Sequence, residues 1–132
     1  MPVVQGIKFQ LNQLFLNLLS NALKFSKAEE RPVVKILCSE LKKEEQDEFP
    51  FLSHSQYYKI EVKDNGIGFD PQYAEKIFVV FQRLHIKELY SGNGIGLAIC
   101  KKIVQNHKGS IYAQSTPGEG ASFVVLLPKT ID

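Results

Sequence analysis

The sequence holds no tryptophan, a single methionine and only two cysteines in 132 residues. Cys38 and Cys100 form no CxxC pair, so neither a zinc ribbon nor a redox dithiol is written here. Their spacing implies no disulfide, and a reduced compartment is expected. His54, His85 and His107 lack metal-ligand spacing and belong to no serine–histidine–acid grouping, so nothing local marks a zinc site or a nucleophilic triad. Charge of one sign is also missing. The 16 basic and 14 acidic residues leave a scattered net charge of +2, which argues against a nucleic-acid surface. Nowhere do about eighteen apolar residues run together, and the N-terminal MPVVQGIKF has no basic stretch followed by an apolar one. Neither a membrane span nor a secretory leader is expected. The reading is a cytoplasmic domain without direct membrane contact, whether or not a longer parent is anchored elsewhere.

What is present is the composition of a packed domain, 44% hydrophobic and 23% charged. A chain of this length buries roughly two-thirds of its extended surface, so one domain over residues 1–132 needs no metal or disulfide to hold it. From Ile7 to Phe25 the apolar positions Ile7, Leu11, Leu14, Phe15, Leu18, Leu19, Ala22 and Leu23 recur at three- and four-residue steps, the pattern of a helix with one buried stripe. Asn17, Asn21 and Lys24 use the same spacing and form a polar row beside it. Pro32–Ser39 and Tyr57–Lys63 read as strands, the second with clean alternation. Between them ELKKEEQDEFPFLSHSQ reads as an exposed connection whose acidic run is a solvated face.

Pro71 fits the start of a short helix through Ile77 and Phe81, with Phe78 and Phe81 sharing a core-facing side. A surface loop then leads to a glycine cluster, after which Leu97, Cys100, Ile103 and Val104 make the stripe of another helix, ending near His107–Gly109. Ser110–Ser115 and Ala121–Leu127 are strands around the turn TPGEG. The order helix, strand, strand, helix, helix, strand, strand predicts an α/β fold, a two-layer sandwich on a mixed, largely antiparallel sheet. A dinucleotide fold is excluded, because no strand leads into a GxGxxG within a βαβ unit.

Four features carry candidate chemistry. Gly92, Gly94 and Gly96 directly precede the Leu97 helix, where exposed N–H groups suit phosphate oxygens; they also suit an ordinary turn, and the Walker pattern is absent. Asn21 offers an amide oxygen fit for Mg²⁺, with Asn17 and Lys24 one turn away to support it and meet negative charge; a solvent-facing polar row is the alternative. Asp64 stands where a strand meets a glycine turn, placed to accept a hydrogen bond from a ligand amino group or simply to shape the turn. Arg83, at the loop entrance, either reaches phosphate or pairs with an acidic neighbour.

Taken together, NLLSNALKF at 17–25, DNGIGF at 64–69, IFVVFQRL at 77–84 and GNGIGLAI at 92–99 resemble, in order, the N, G1, F and G2 boxes of the catalytic and ATP-binding domain of sensor histidine kinases. That domain belongs to the GHKL superfamily shared with type II topoisomerases, mismatch-repair ATPases and heat-shock chaperones. Gly118 to Ser122, followed by FVVLLP, resembles the family's closing strand. The resemblance runs from about Gly6 to Pro128, and FQRLHIKELYSGNGIGLAICKKIVQNHKG is similar to kinases of the phytochrome-like and PAS-linked type. It implies the Bergerat ATP-binding fold, with ATP between the helices and the sheet.

Carried over by position, the resemblance implies a catalytic group of Asn21 as Mg²⁺ ligand, Asn17 as its polar neighbour and Lys24 as a phosphate contact. Phe25 flanks the pocket. Asp64 receives the adenine amino group, with Gly66, Ile67, Gly68 and Phe69 around the base. Phe81 and Arg83 stand at the entrance of an ATP lid, and Gly92, Asn93, Gly94, Ile95, Gly96 and Leu97 form its hinge and the start of the next helix. ATP and Mg²⁺ are the implied cofactors. The implied reaction is γ-phosphoryl transfer to a histidine of a dimerisation domain in two-component signalling.

No histidine here sits in a phosphoacceptor motif. The implied piece is therefore the nucleotide-binding module alone, largely monomeric, with the missing dimerisation domain and a downstream response regulator as partners. Two departures from the family pattern stand out: Asn93 where many relatives carry threonine, and Ala121 where threonine often follows the last glycine segment. ATPases and anti-sigma-factor serine kinases share the superfamily, but Asn17 stands where hydrolysing relatives often use glutamate. A nucleotide-binding or interaction module without catalysis is the third reading.

Overall fold

A computed structural model describes residues 8–46, 49, 56–78 and 96–129. Helix α1 spans Lys8–Lys24, within a residue of the span its periodicity predicts, and buries Leu14, Leu18 and Ala22 at four-residue steps. Strand β1 follows at Val34–Glu40, a single turn α2 at Lys43–Gln46, and strand β2 at Tyr57–Asp64. Helix α3 covers Gly96–Asn106, and strands β3 (Ser110–Ser115) and β4 (Ala121–Pro128) close the fold.

The sheet order is β1-β2-β4-β3, and each of its three ladders is antiparallel. Because β4 lies between them, β2 and β3 run in the same direction, and the link through α3 is a split crossover. Helices α1 and α3 pack against one face, so the two-layer α/β sandwich stands as expected. The two helices are antiparallel: the Asn106 amide donates to Gln10 at 3.4 Å, and the Cys100 thiol lies 3.7 Å from the Leu14 carbonyl.

Between the layers sit Leu14, Leu18, Val62, Ile103, Val104 and Val125. The Phe123 ring is flanked by Phe69 at 6.4 Å and, edge-on, by Phe78 at 6.2 Å. Strand β4 is buried at all eight positions, a pattern that demands cover on both faces. The connection after β1 supplies part of it and so departs from the exposed stretch expected there. Leu41 packs with Tyr57, Val124 and Leu126 on the far face, and Phe49 stacks on Tyr112 at 5.6 Å. Glu45 of α2 pairs with Lys59 of β2 at 3.0 Å, which lowers the glutamate pKa and raises the lysine.

In place of one short helix after Pro71, the chain makes two 3₁₀ turns, Pro71–Tyr73 and Lys76–Phe78. Asp70 starts the first by accepting the Gln72 N–H at 3.1 Å, and the pair of turns sends Tyr73, Ile77 and Phe78 into the core. Phe81, Arg83, Gly92, Asn93, Gly94 and Ile95 lie outside the described residues, as do His54 and His85. Among the described residues no helix is long and apolar enough to cross a membrane.

Candidate functional site

The strand register brings several chain ends to one edge of the sheet. Val34 at the start of β1 faces Asp64 at the end of β2, while Ser115 at the end of β3 faces Ala121 at the start of β4. The C-terminal end of α1 joins them, because the Ile67 N–H donates to the Phe25 carbonyl at 2.9 Å. The antiparallel pairing of α3 with α1 carries the N-terminus of α3, Gly96 and Leu97, toward the Asn21 end of α1. Open ends of secondary structure, with their unspent N–H groups, therefore gather where the sequence motifs gather.

The loop 64–69 and the turn 116–121 interlock by backbone. Gly118 N–H donates to the Ile67 carbonyl at 2.7 Å. Gly68 holds φ +70°, and a Cβ there would stand 2.9 Å from the Gly120 carbonyl oxygen. A Cβ on Gly66 would overlap the Phe25 carbonyl oxygen, so that glycine serves close approach to α1. Asp64 sits inside this interlock. Its Oδ1 accepts the N–H of Gly66 at 2.8 Å and of Ala121 at 3.2 Å, and among the described residues its Oδ2 takes no bond. Partial burial raises the Asp64 pKa above the usual carboxylate range, while the two amide bonds pull it back. A cavity of about 570 Å³ opens beside it, lined in part by Lys63, Pro71, Ala74 and Ser115.

On α1 the polar row is placed as its spacing predicts. Asn17 and Asn21 are half-buried and Lys24 is exposed, its ammonium 5.5 Å from the centre of the Phe25 ring. Asn17 lies near the Cys100 thiol of α3, which burial pushes up to about 12 and the Asn17 side chain draws partly back. Phe69 stands apart from the pocket reading: it is 1% exposed and packs in the core, because the backbone reverses at Gly68. Among the described residues no cluster of three or more His, Cys, Asp or Glu side chains could hold a metal.

One polar residue at this edge escapes sequence reading altogether. Ser115 accepts the Phe69 N–H at 2.8 Å and donates to the Gly120 carbonyl at 2.6 Å, bridging the two loops. Its only signal in the sequence is a hydroxyl at a strand's end, just before a Pro-Gly turn.

An antiparallel-ladder sheet under two helices, with glycine loops gathered at one edge, is the architecture of a Bergerat fold. The chain belongs to the family of histidine kinase-, DNA gyrase B- and HSP90-like ATPases, which residues 6–131 match. It is 46% identical over 128 residues to cyanobacterial phytochrome A of Nostoc sp., covering 97% of this chain and 15% of that protein. Against phytochrome-like protein Cph1 of Synechocystis sp. the identity is 44%, again over 97% of this chain and 15% of the relative. The chain thus spans a small part of the curated relatives it matches.

Solved structures agree. The nucleotide-free catalytic domain of histidine kinase ThkA superposes with a TM-score of 0.71 at 25% identity, over 97% of this chain and 73% of that one. Full-length ShkA in complex with AMPPNP gives a TM-score of 0.71 at 25% identity, over 97% of this chain and 23% of that one. The domain is homologous to histidine kinase catalytic domains and to phytochrome-like kinases.

Proposed function

We propose that this domain binds Mg²⁺-ATP at the sheet edge and, within a longer protein, presents the γ-phosphoryl group to a histidine of a dimerisation domain in two-component signalling. The observation that carries the proposal is the Asp64 carboxylate. Two backbone amides hold Oδ1, and Oδ2 is left to accept a hydrogen bond from an exocyclic amino group such as that of adenine. In this reading Asn17, Asn21 and Lys24 of α1 meet the phosphate side of the nucleotide and Phe25 flanks the pocket, although none of the four lines the cavity beside Asp64.

Asn21 would hold Mg²⁺ through its neutral amide oxygen, alongside phosphate oxygens and retained waters, since a hard ion takes oxygen donors of this kind. When bound, the ion offsets charge on the transferred phosphoryl group. The chain's own part is alignment and electrostatics: Asp64 fixes the base, Lys24 meets phosphate charge, and Asn17 and Asn21 orient polar atoms between them. The attacking nucleophile is an imidazole supplied by the dimerisation domain, and a response regulator receives the phosphoryl group downstream.

Calorimetry of ATP and ADP, with and without Mg²⁺, tests this on the wild type, Asn21→Ala and Asp64→Ala after circular dichroism has verified each fold. Mg²⁺-assisted ATP binding weakened by both substitutions is the expected result. A folded wild type that binds neither nucleotide refutes it.

A further inference from the structure

We propose that Ser115 is a positioning residue for Asp64: its hydroxyl locks the two glycine loops together and thereby sets the carboxylate that reads the base. The reading of the base rests on the adenine role given to Asp64 above, whereas the coupling of Ser115 to Asp64 rests on geometry alone.

The chain of contacts is short. Phe69, whose N–H donates to Ser115 Oγ at 2.8 Å, ends the loop that Asp64 begins. Gly120, whose carbonyl accepts the Ser115 hydroxyl at 2.6 Å, precedes Ala121, and Ala121 N–H is one of the two donors to Asp64 Oδ1. A hydroxyl can donate once while accepting from another group, so one side chain serves both loops. The geometry shows where the lock acts. At 3.2 Å the Ala121–Asp64 bond is long, against 2.8 Å for the Gly66–Asp64 bond. A turn released by a few tenths of an ångström loses the Ala121 bond first. Gly66, by contrast, is held from the α1 side, where the neighbouring Ile67 N–H is bonded to Phe25.

Ser115→Ala removes the acceptor for Phe69 and the donor to Gly120 without adding bulk. The first measurement needs no nucleotide: a ¹³C NMR titration of the Asp64 carboxyl in wild type and Ser115→Ala. Loss of the Ala121 bond withdraws support from the ionised form, so the Asp64 pKa rises further in the variant. An Asp64 titration that is the same in both proteins overturns the inference, whatever the domain binds.

The second measurement compares ATP with purine riboside triphosphate, which lacks only the 6-amino group. Ser115→Ala is expected to weaken ATP about five- to tenfold, the effect of one net hydrogen bond, and to leave the analogue within about twofold. An equal loss for both nucleotides assigns Ser115 a merely structural role and overturns the proposal. Should Ser115→Ala fail to fold, Ser115→Cys carries the same two readouts with a longer, weaker acceptor, and the same outcomes decide.

Discussion

Gly120→Ala isolates the backbone interlock that holds the site. Gly120 has φ +85°, and a Cβ built there overlaps the Asp64 carbonyl oxygen, with the Asp64 carbonyl carbon 2.9 Å away and the Asn65 Cα 3.0 Å away. Gly118 has nearly the same backbone, φ +82°, but a Cβ there meets nothing within 4 Å. The left-handed conformation alone costs an alanine about 1–2 kcal/mol. At Gly120 the neighbours are backbone atoms that cannot rotate aside, so overpacking adds about 1–3 kcal/mol. Both variants make the same change in the unfolded chain, and that contribution cancels in the comparison. Gly120→Ala is therefore expected to melt about 5–10 °C below Gly118→Ala in calorimetry or circular dichroism. It should also lose nucleotide affinity, since relief of the overlap must move Asp64. Two variants melting within about 2 °C of each other would falsify the contact argument and leave only the shared φ penalty.

Three further outcomes follow from the same structure. Phe123→Ala empties the space between Phe69 and Phe78 and is expected to destabilise by about 3–5 kcal/mol in urea unfolding; a loss under about 1 kcal/mol refutes its central place. Asp64 has a folded pKa above its ordinary value of 3.8, so the native state binds more protons than the unfolded one and stability falls as pH rises through that window. Asp64→Asn, which keeps an Oδ1 acceptor, should thus melt above wild type by a margin that widens from about pH 3 to 6 while ATP binding is lost, and a margin that shrinks with pH contradicts the desolvation account. Iodoacetamide should label exposed Cys38 rapidly and buried Cys100, pushed up to about 12, only as the protein unfolds; mass spectrometry showing equal native labelling refutes that burial.

Helix α1 is legible to within a residue because its apolar stripe repeats over more than four turns, and the same periodicity places Asn17, Asn21 and Lys24 in one row. Leu41 and Phe49 are not legible as core, since Leu41 is an isolated apolar residue in a charged stretch and Phe49 stands before Pro50 in a segment without periodicity. The signal for their role lies elsewhere, in the run FVVLL of β4, which is apolar toward both faces and needs cover on each. Phe69, which closes the motif DNGIGF, follows the positive-φ turn at Gly68 and packs its ring against Phe123. Ser115 is invisible for another reason. Its partner Phe69 is 46 positions away, and the sheet order, with β4 between β2 and β3, brings the two together.

The electrostatics of Asp64 bear on what the interlock is for. A carboxylate that serves only structure is ordinarily paired with a cation or bonded through both oxygens, because burial of an incompletely bonded charge is unfavourable. Among the described residues Asp64 has no ion pair, and both amide donors converge on Oδ1. Desolvation outweighs those two bonds, which is why the pKa moves up. The fold thus fixes the orientation of the group by backbone contacts at Gly66, Gly68 and Gly120 that leave no room for side chains. On the function proposed above, rigidity of that kind serves a ligand. A donor that fills Oδ2 completes the hydrogen bonding of a group already in place, so the free energy of the new bond goes into affinity and little is spent on ordering the site.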